Sequence, residues 1–145
     1  MLFSGINYIA VVVAGIASFA FGAVYYMTLA RPWMAAIGKT EEQVKSESSP
    51  VVYIVAIVSQ LVMAFMLAAV LGHMIPLGSG ESSAPSVTLA NGLVTGFCIW
   101  LGFVLTTMLI NHGFQGQKRA LSVIDGGHWL GVLLLQGAVI GAFGL

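Results

Sequence analysis

Four long apolar runs alternate with polar connections along this chain of 145 residues. A hydrocarbon layer of about 30 Å is crossed by about 20 apolar residues in a helix, and each run is of that order. The pattern predicts spans over residues 7–26, 51–71, 87–110 and 120–143. Backbone N–H and C=O groups at membrane depth must pair within the segment, and four short segments cannot close a barrel, so each span is expected to be helical. The expected fold is all-α: one polytopic membrane domain, 1–145, with four transmembrane helices in a single bundle.

The connections carry the charge and assign the sides. All five basic residues, Arg31, Lys39, Lys45, Lys118 and Arg119, fall in the first and third connections. The chain ends and the stretch from His73 to Ser86 hold none. By the positive-inside rule, both termini and the middle connection are expected outside. Tyr25, Tyr26, Trp33, Tyr53 and Trp129 fall near the basic side, where amphipathic rings favour the headgroup layer, and Tyr8 falls at the other. Pro32 suits the first position of a short helix that Gly38 closes, and Thr40 with Gln43 has capping-box spacing, so the first connection reads as an interfacial elbow. The middle connection, with Pro76, Gly78, Ser79, Gly80, Ser82, Ser83 and Pro85, has the composition of a flexible loop. Ser18-Phe19-Ala20 mimics a signal cleavage site, but no basic stretch precedes it and the apolar run continues to Met27, so a retained span is expected.

Composition narrows the function classes. With 7% charged residues, against about 25% in soluble domains, the chain's solvent is lipid. Five acidic residues balance the five basic ones, which leaves neither a basic surface for nucleic acid nor an acidic tail for a cationic partner. The single cysteine, Cys98, lies inside a span and excludes a disulfide within the chain. No phosphate-cradling glycine loop, redox cysteine pair or other cofactor motif is present.

Helices in lipid associate through close backbone approach and scattered polar contacts, so small residues at four-residue spacing mark packing faces. Span one offers Ala10, Ala14, Ser18 and Gly22, and span two offers Ala56, Ala64, Ala68 and Gly72. Span three has Gly92 and Gly96; span four has Gly127 with Gly131 and Gly137 with Gly141. Grooves on every span leave room for contact between copies, so a homo-oligomer is expected. On span three, Thr88, Asn91, Thr95, Cys98, Gly102 and Thr106 repeat by three and four and share one helical face. That face is expected to look inward and to meet Ser18, Gln60 and Gln136 near the midplane. Two readings stay open: interhelical glue, or a wetted path for a small neutral solute.

The one cluster with chemical potential gathers at the basic end: Asn111, His112, Asp125, His128 and Trp129, with Tyr25, Tyr26 and Trp33 at similar depth. Asp125 and His128 are three residues apart on a helix and are expected to pair. An ionisable pair at membrane depth points to a proton relay, a substrate anchor or metal ligands, although it can equally lock span four against the aromatic belt. Zinc needs three or four ligands, and only His112 is placed to be a third, so no metal site is expected. No serine, cysteine or lysine is placed by sequence beside these histidines, so the catalytic residues, if there are any, stay unassigned.

Several stretches taken in order resemble the bacterial membrane family catalogued as domain of unknown function 1761. They are Asn7, Gly22 to Tyr26, Arg31-Pro32-Trp33-Met34, Gly38 to Glu42, Gly96 to Trp100, Gly102 to Thr107, Asn111, and Ile124 to Trp129. The resemblance implies a four-span protein of the bacterial inner membrane with no assigned activity, and it supplies no catalytic residue. The middle connection here is longer and richer in serine than the resemblance leads one to expect. The leading expectation is binding or passage of a small solute in the inner half of the bilayer. The rivals are an accessory subunit that binds another membrane protein through its glycine faces, and an enzyme using Asp125 and His128. A carboxylate or base at the midplane is missing, which disfavours an ion-coupled pump.

Overall fold

In the computed structural model, residues 5–74 and 87–145 are described, and every regular element among them is a helix. The middle connection of the sequence analysis, residues 75–86, lies outside them. Helix α1 (Tyr8–Thr28) starts at Asn7, whose side chain accepts the Ala10 N–H at 3.1 Å and so satisfies one of the unpaired donors of the first turn. A single residue, Leu29, joins it to α2 (Ala30–Ile37): Leu29 N–H donates to Tyr25 and its carbonyl accepts from Trp33. Pro32 therefore sits third in α2 instead of first. It is tolerated there because the N–H it lacks belongs to the unpaired first turn. Gly38, at φ 70°, closes α2 in the left-handed conformation that a side chain would resist.

Thr40 and Gln43 then form the reciprocal capping box of α3 (Glu41–Glu47). Lys45 pairs with Glu41 at 2.7 Å and holds its carboxyl below the usual range, and Lys39 pairs with Glu47. Pro50 opens α4 (Pro50–Met74), where a missing N–H costs nothing. The third span consists of α5 (Leu89–Ile99), a π-helical stretch from Trp100 to Leu105, and α6 (Thr106–Phe114). It runs four residues further toward the basic end than the hydropathy pattern suggests, and Gly116, at φ 65°, turns the chain into α7 (Arg119–Phe143). Lys118 donates to the Ala35 carbonyl at 2.6 Å and ties the two basic connections together.

Four of these stretches, Tyr8–Thr28, Pro50–Met74, Leu89–Phe114 and Arg119–Phe143, are long and apolar enough to cross a membrane. Helix α7 is the hub. It packs most extensively on α5 and α1, α1 in turn packs on α4, and α4 reaches back to α7 and α5 more lightly. The α5–α7 seam is set by backbone proximity. A Cβ added to Gly92 would lie 1.9 Å from the Gly137 carbonyl oxygen, and one added to Gly137 would lie 2.2 Å from that of Gly92. The other glycine pair of α7, Gly127 and Gly131, is rotated by about 80° at 100° per residue and receives Tyr25 and Phe21 of α1. Each glycine pair thus seats a different neighbour.

This seam overturns one expectation from the sequence. Thr95 is buried at the seam, but Asn91, Cys98 and Thr106 are exposed. Nothing lies within 4 Å of where a Gly102 side chain would start. Two cues on the same helix compete, and the glycines prevail because they permit an approach that no polar contact can match. Apart from Thr95, the polar stripe is left pointing away from the bundle. The π-helical stretch widens the difference, since each wide turn shifts later side chains around the axis relative to α-helical extrapolation. Span three is consequently the least enclosed of the four.

Candidate functional site

Two polar centres lie inside or beside the bundle. At mid-bundle, Ser18 of α1, Gln60 of α4 and Gln136 of α7 meet. Gln136 Nε2 donates toward Ser18 Oγ at 2.9 Å, Gln60 Oε1 at 3.0 Å and the Gln60 carbonyl at 3.1 Å. Ser18 Oγ lies 3.0 Å from Gln60 Oε1 and 2.8 Å from the Ala14 carbonyl. All three side chains are buried, and the contacts between them join α1 to α4, α1 to α7 and α4 to α7. Gln136 Oε1 is buried without a partner. Thr95, expected to join this group, is buried but forms none of these bonds.

The second centre is at the basic end and is built from α1, α6 and α7. Asp125 is reached from both sides. Tyr26 Oη donates to its Oδ1 at 2.8 Å, and His112 Nε2 stands 3.9 Å from its Oδ2. The other ring nitrogen of His112, Nδ1, is 2.9 Å from Ser122 Oγ. The result is a chain of four side chains, Tyr26, Asp125, His112 and Ser122, with Asp125 and Ser122 on one face of α7 three residues apart. A carboxylate only accepts, so the tautomer that suits this chain carries its proton on Nε2, and Nδ1 accepts from the serine hydroxyl. The His112 and Asp125 side chains keep 17% and 19% of their surface exposed, which leaves the chain in reach of solvent.

Asp125 and His128 do not pair, contrary to the sequence-based expectation. Helical spacing brought them to one side of α7, but Tyr26 and His112 claim the carboxylate from neighbouring helices. His128 turns instead into a box of rings. Its centroid is 4.8 Å from Tyr26 and Trp129, 5.6 Å from Tyr25 and 6.1 Å from Phe21. Gly22 makes the space, since a Cβ there would come within 2.8 Å of His128 Nε2. His128 Nδ1 is buried without a hydrogen-bond partner. Tyr25 is held by its hydroxyl, which donates to the Ile124 carbonyl at 2.9 Å, and Trp33 packs edge-on against Tyr26 at 5.7 Å.

Two open grooves flank α6. One, of about 480 Å³, is lined by the apolar Phe103, Val104, Met108 and Trp129 and by the polar Thr107, Asn111, His112 and Gln115. The second, of about 390 Å³, is mostly apolar and includes Trp100, Leu105, Leu109, Arg119 and Ser122. The Trp100 indole N–H donates to the Gly126 carbonyl at 2.9 Å, holds the π-helical stretch against α7 and places both residues in the wall of the second groove. Among the described residues, no three His, Cys, Asp or Glu side chains gather closely enough to hold a metal ion.

Of the residues singled out from sequence, Tyr25, Tyr26, Trp33, Asn111, His112, Asp125, His128 and Trp129 do lie together at this end. The missed member is Ser122. Its spacing to Asp125 was visible, but its partner His112 stands ten residues earlier across a turn, and nothing in the sequence brings a serine to that ring.

The fold and these centres define a class, an all-helical bundle of four membrane-length spans with a polar chain at its basic end. The family described as protein of unknown function (DUF1761) matches residues 9–141, and the chain belongs to that family. No curated protein and no solved structure matches it.

Proposed function

We propose that this protein binds a small amphipathic molecule at the cytoplasmic side of the membrane, in the groove between α6 and Trp129. The carrying observation is that the groove's lining combines apolar side chains, Phe103, Val104, Met108 and Trp129, with the polar Thr107, Asn111, His112 and Gln115. A molecule with a hydrocarbon body and a hydrogen-bonding head matches that mixed lining, and a groove open toward lipid admits it without passage through water. The assignment of this end to the cytoplasm rests on the five basic residues gathered there. Binding is favoured over passage because Ser18, Gln60 and Gln136 touch one another directly where a path between the spans would run.

The test is extraction of the purified protein with organic solvent and mass analysis of what it releases. One amphiphile should be enriched over bulk lipid at close to one per chain, and His112→Ala together with Trp129→Ala should lose it. Release of bulk lipid alone, in bulk proportions, would remove this reading.

A second reading, self-association through span three, is favoured by the outward face of Asn91, Cys98 and Thr106. Polar groups facing lipid gain from a partner that also presents polar groups. Because Cys98 is the sole cysteine, a short bifunctional thiol reagent applied in membranes should yield crosslinked dimers. Crosslinking no greater than that of a cysteine moved to Val55, on the exposed face of α4, would count against it.

A further inference from the structure

We propose that Ser122, His112 and Asp125 form a nucleophile, base and positioning carboxylate for acyl transfer from an apolar-chain ester held in the second groove. The first evidence is how Ser122 spends its hydroxyl. Serine and threonine within a helix ordinarily donate back to a carbonyl three or four residues earlier. Ser18, Thr28, Ser46 and Thr106 of this protein all do so. Ser122 makes no such contact; its Oγ lies 2.9 Å from His112 Nδ1, and in the tautomer with the proton on Nε2 its hydroxyl donates there. A hydroxyl bonded to an unprotonated ring nitrogen, with a carboxylate facing the opposite nitrogen, is the arrangement that makes serine a nucleophile.

The second evidence is access. Ser122 is partly exposed and lines the groove of about 390 Å³, whose other walls include Trp100, Leu105, Leu109 and Val123. Those walls suit an acyl chain. Arg119, one turn earlier on α7, is the cation that lines the same groove, and its charge offsets the negative charge that develops on the ester oxygen. His112 stands between this groove and the amphiphile groove. The 3.9 Å from His112 Nε2 to Asp125 is longer than a hydrogen bond, as relay contacts often are before a ligand closes the site.

The step balances within these residues and water. Ser122 Oγ attacks the ester carbonyl as its proton passes to His112 Nδ1. The C–O bond to the alcohol breaks, and the leaving alkoxide takes that proton. A second acceptor, water or another alcohol, then attacks the acyl-serine, gives its proton to His112, and Ser122 recovers a proton as its oxygen leaves. Asp125 acts through His112, holding the ring and balancing its transient positive charge, while Tyr26 fixes the carboxylate.

The test uses the full chain in detergent with an alkyl fluorophosphonate, which reacts with activated serine hydroxyls. Mass analysis of the digested protein should place the adduct on Ser122, with the exposed Ser46, Ser48 and Ser59 unmodified. His112→Ala should slow labelling by at least about tenfold, the order contributed by a general base. Asp125→Asn, which can still accept the Tyr26 bond, should slow it while the melting temperature stays unchanged, and Asp125→Glu should restore part of the rate. Absence of an adduct on Ser122 in folded wild-type protein overturns the proposal, as does labelling that His112→Ala leaves unchanged. Because the adduct is read on wild type, a variant that fails to fold does not blunt the result. The amphiphile groove is read by extraction, so the failure of one proposal is separable from that of the other.

Discussion

At mid-bundle, Ser18, Gln60 and Gln136 are at most 5% exposed and bond chiefly to one another; at the basic end, His112 and Asp125 keep nearly a fifth of their side chains open beside a groove. Both centres join three helices, and both include α1 and α7. They differ in what their polar atoms are for. The glutamine junction has neutral groups and short, shared hydrogen bonds, so its effect is to hold spans in register. The basic-end chain contains ionisable groups, one contact longer than a hydrogen bond, and a hydroxyl that faces a groove. Polar groups that bond to one another inside a bundle hold its helices together, here with Gln136 Oε1 left over, whereas groups left within reach of a ligand remain free to change partners. The comparison teaches that polarity at membrane depth is not one signal, and that enclosure separates glue from chemistry.

The largest effect should come from breaking the enclosed centre. Gln136→Leu removes the donor shared by Ser18 and Gln60 and leaves Gln60 Oε1 with less of its hydrogen bonding, which should cost about 1–2 kcal/mol. Reversible unfolding in mixed micelles containing dodecyl sulfate measures it, and a variant as stable as wild type would show that the junction adds nothing. Tyr26→Phe should cost less, about 0.5–1 kcal/mol in the same assay, because it removes a single hydrogen bond at a partly solvated carboxylate. Were it to cost more than Gln136→Leu, the contrast between the two centres would be reversed. The smallest change is expected at His128→Leu, within about 0.5 kcal/mol of zero, because it replaces a buried ring whose Nδ1 has no partner. A loss of the size seen for Gln136→Leu would mean that the imidazole makes an essential polar contact.

Much of the basic-end centre was legible in the chain. Asp125, His128 and Trp129 sit within five positions, and Asn111 and His112 precede the basic pair that marks the same side. Partner choice was not legible. The i, i+3 spacing of Asp125 and His128 shows that they share a face, but it does not show that Tyr26 and His112 approach the carboxylate from other helices. The same applies to span three, where the three-and-four repeat of Asn91, Thr95, Cys98 and Thr106 is real but its direction was misread. Gly92 and Gly96 lie on a neighbouring face, and their contacts with Gly137 and Leu133 decide which side of the helix turns inward.

The sequence by itself determined the lipid solvent, the four helical spans, the capped elbow at Gly38 and Thr40, and the set of small residues available for packing. Each of these follows from local rules: apolar length against membrane thickness, backbone pairing within a segment, and the conformations that particular residues permit. The tertiary structure alone decided which glycines meet, which polar face is left outside, and that Ser122 rather than His128 completes the chain through Asp125. Those outcomes depend on the rotation of each helix about its own axis. That rotation is set by contacts between spans distant in sequence, where a carbonyl less than 3 Å from a missing Cβ outweighs a row of side chains with modest hydrogen bonds to offer.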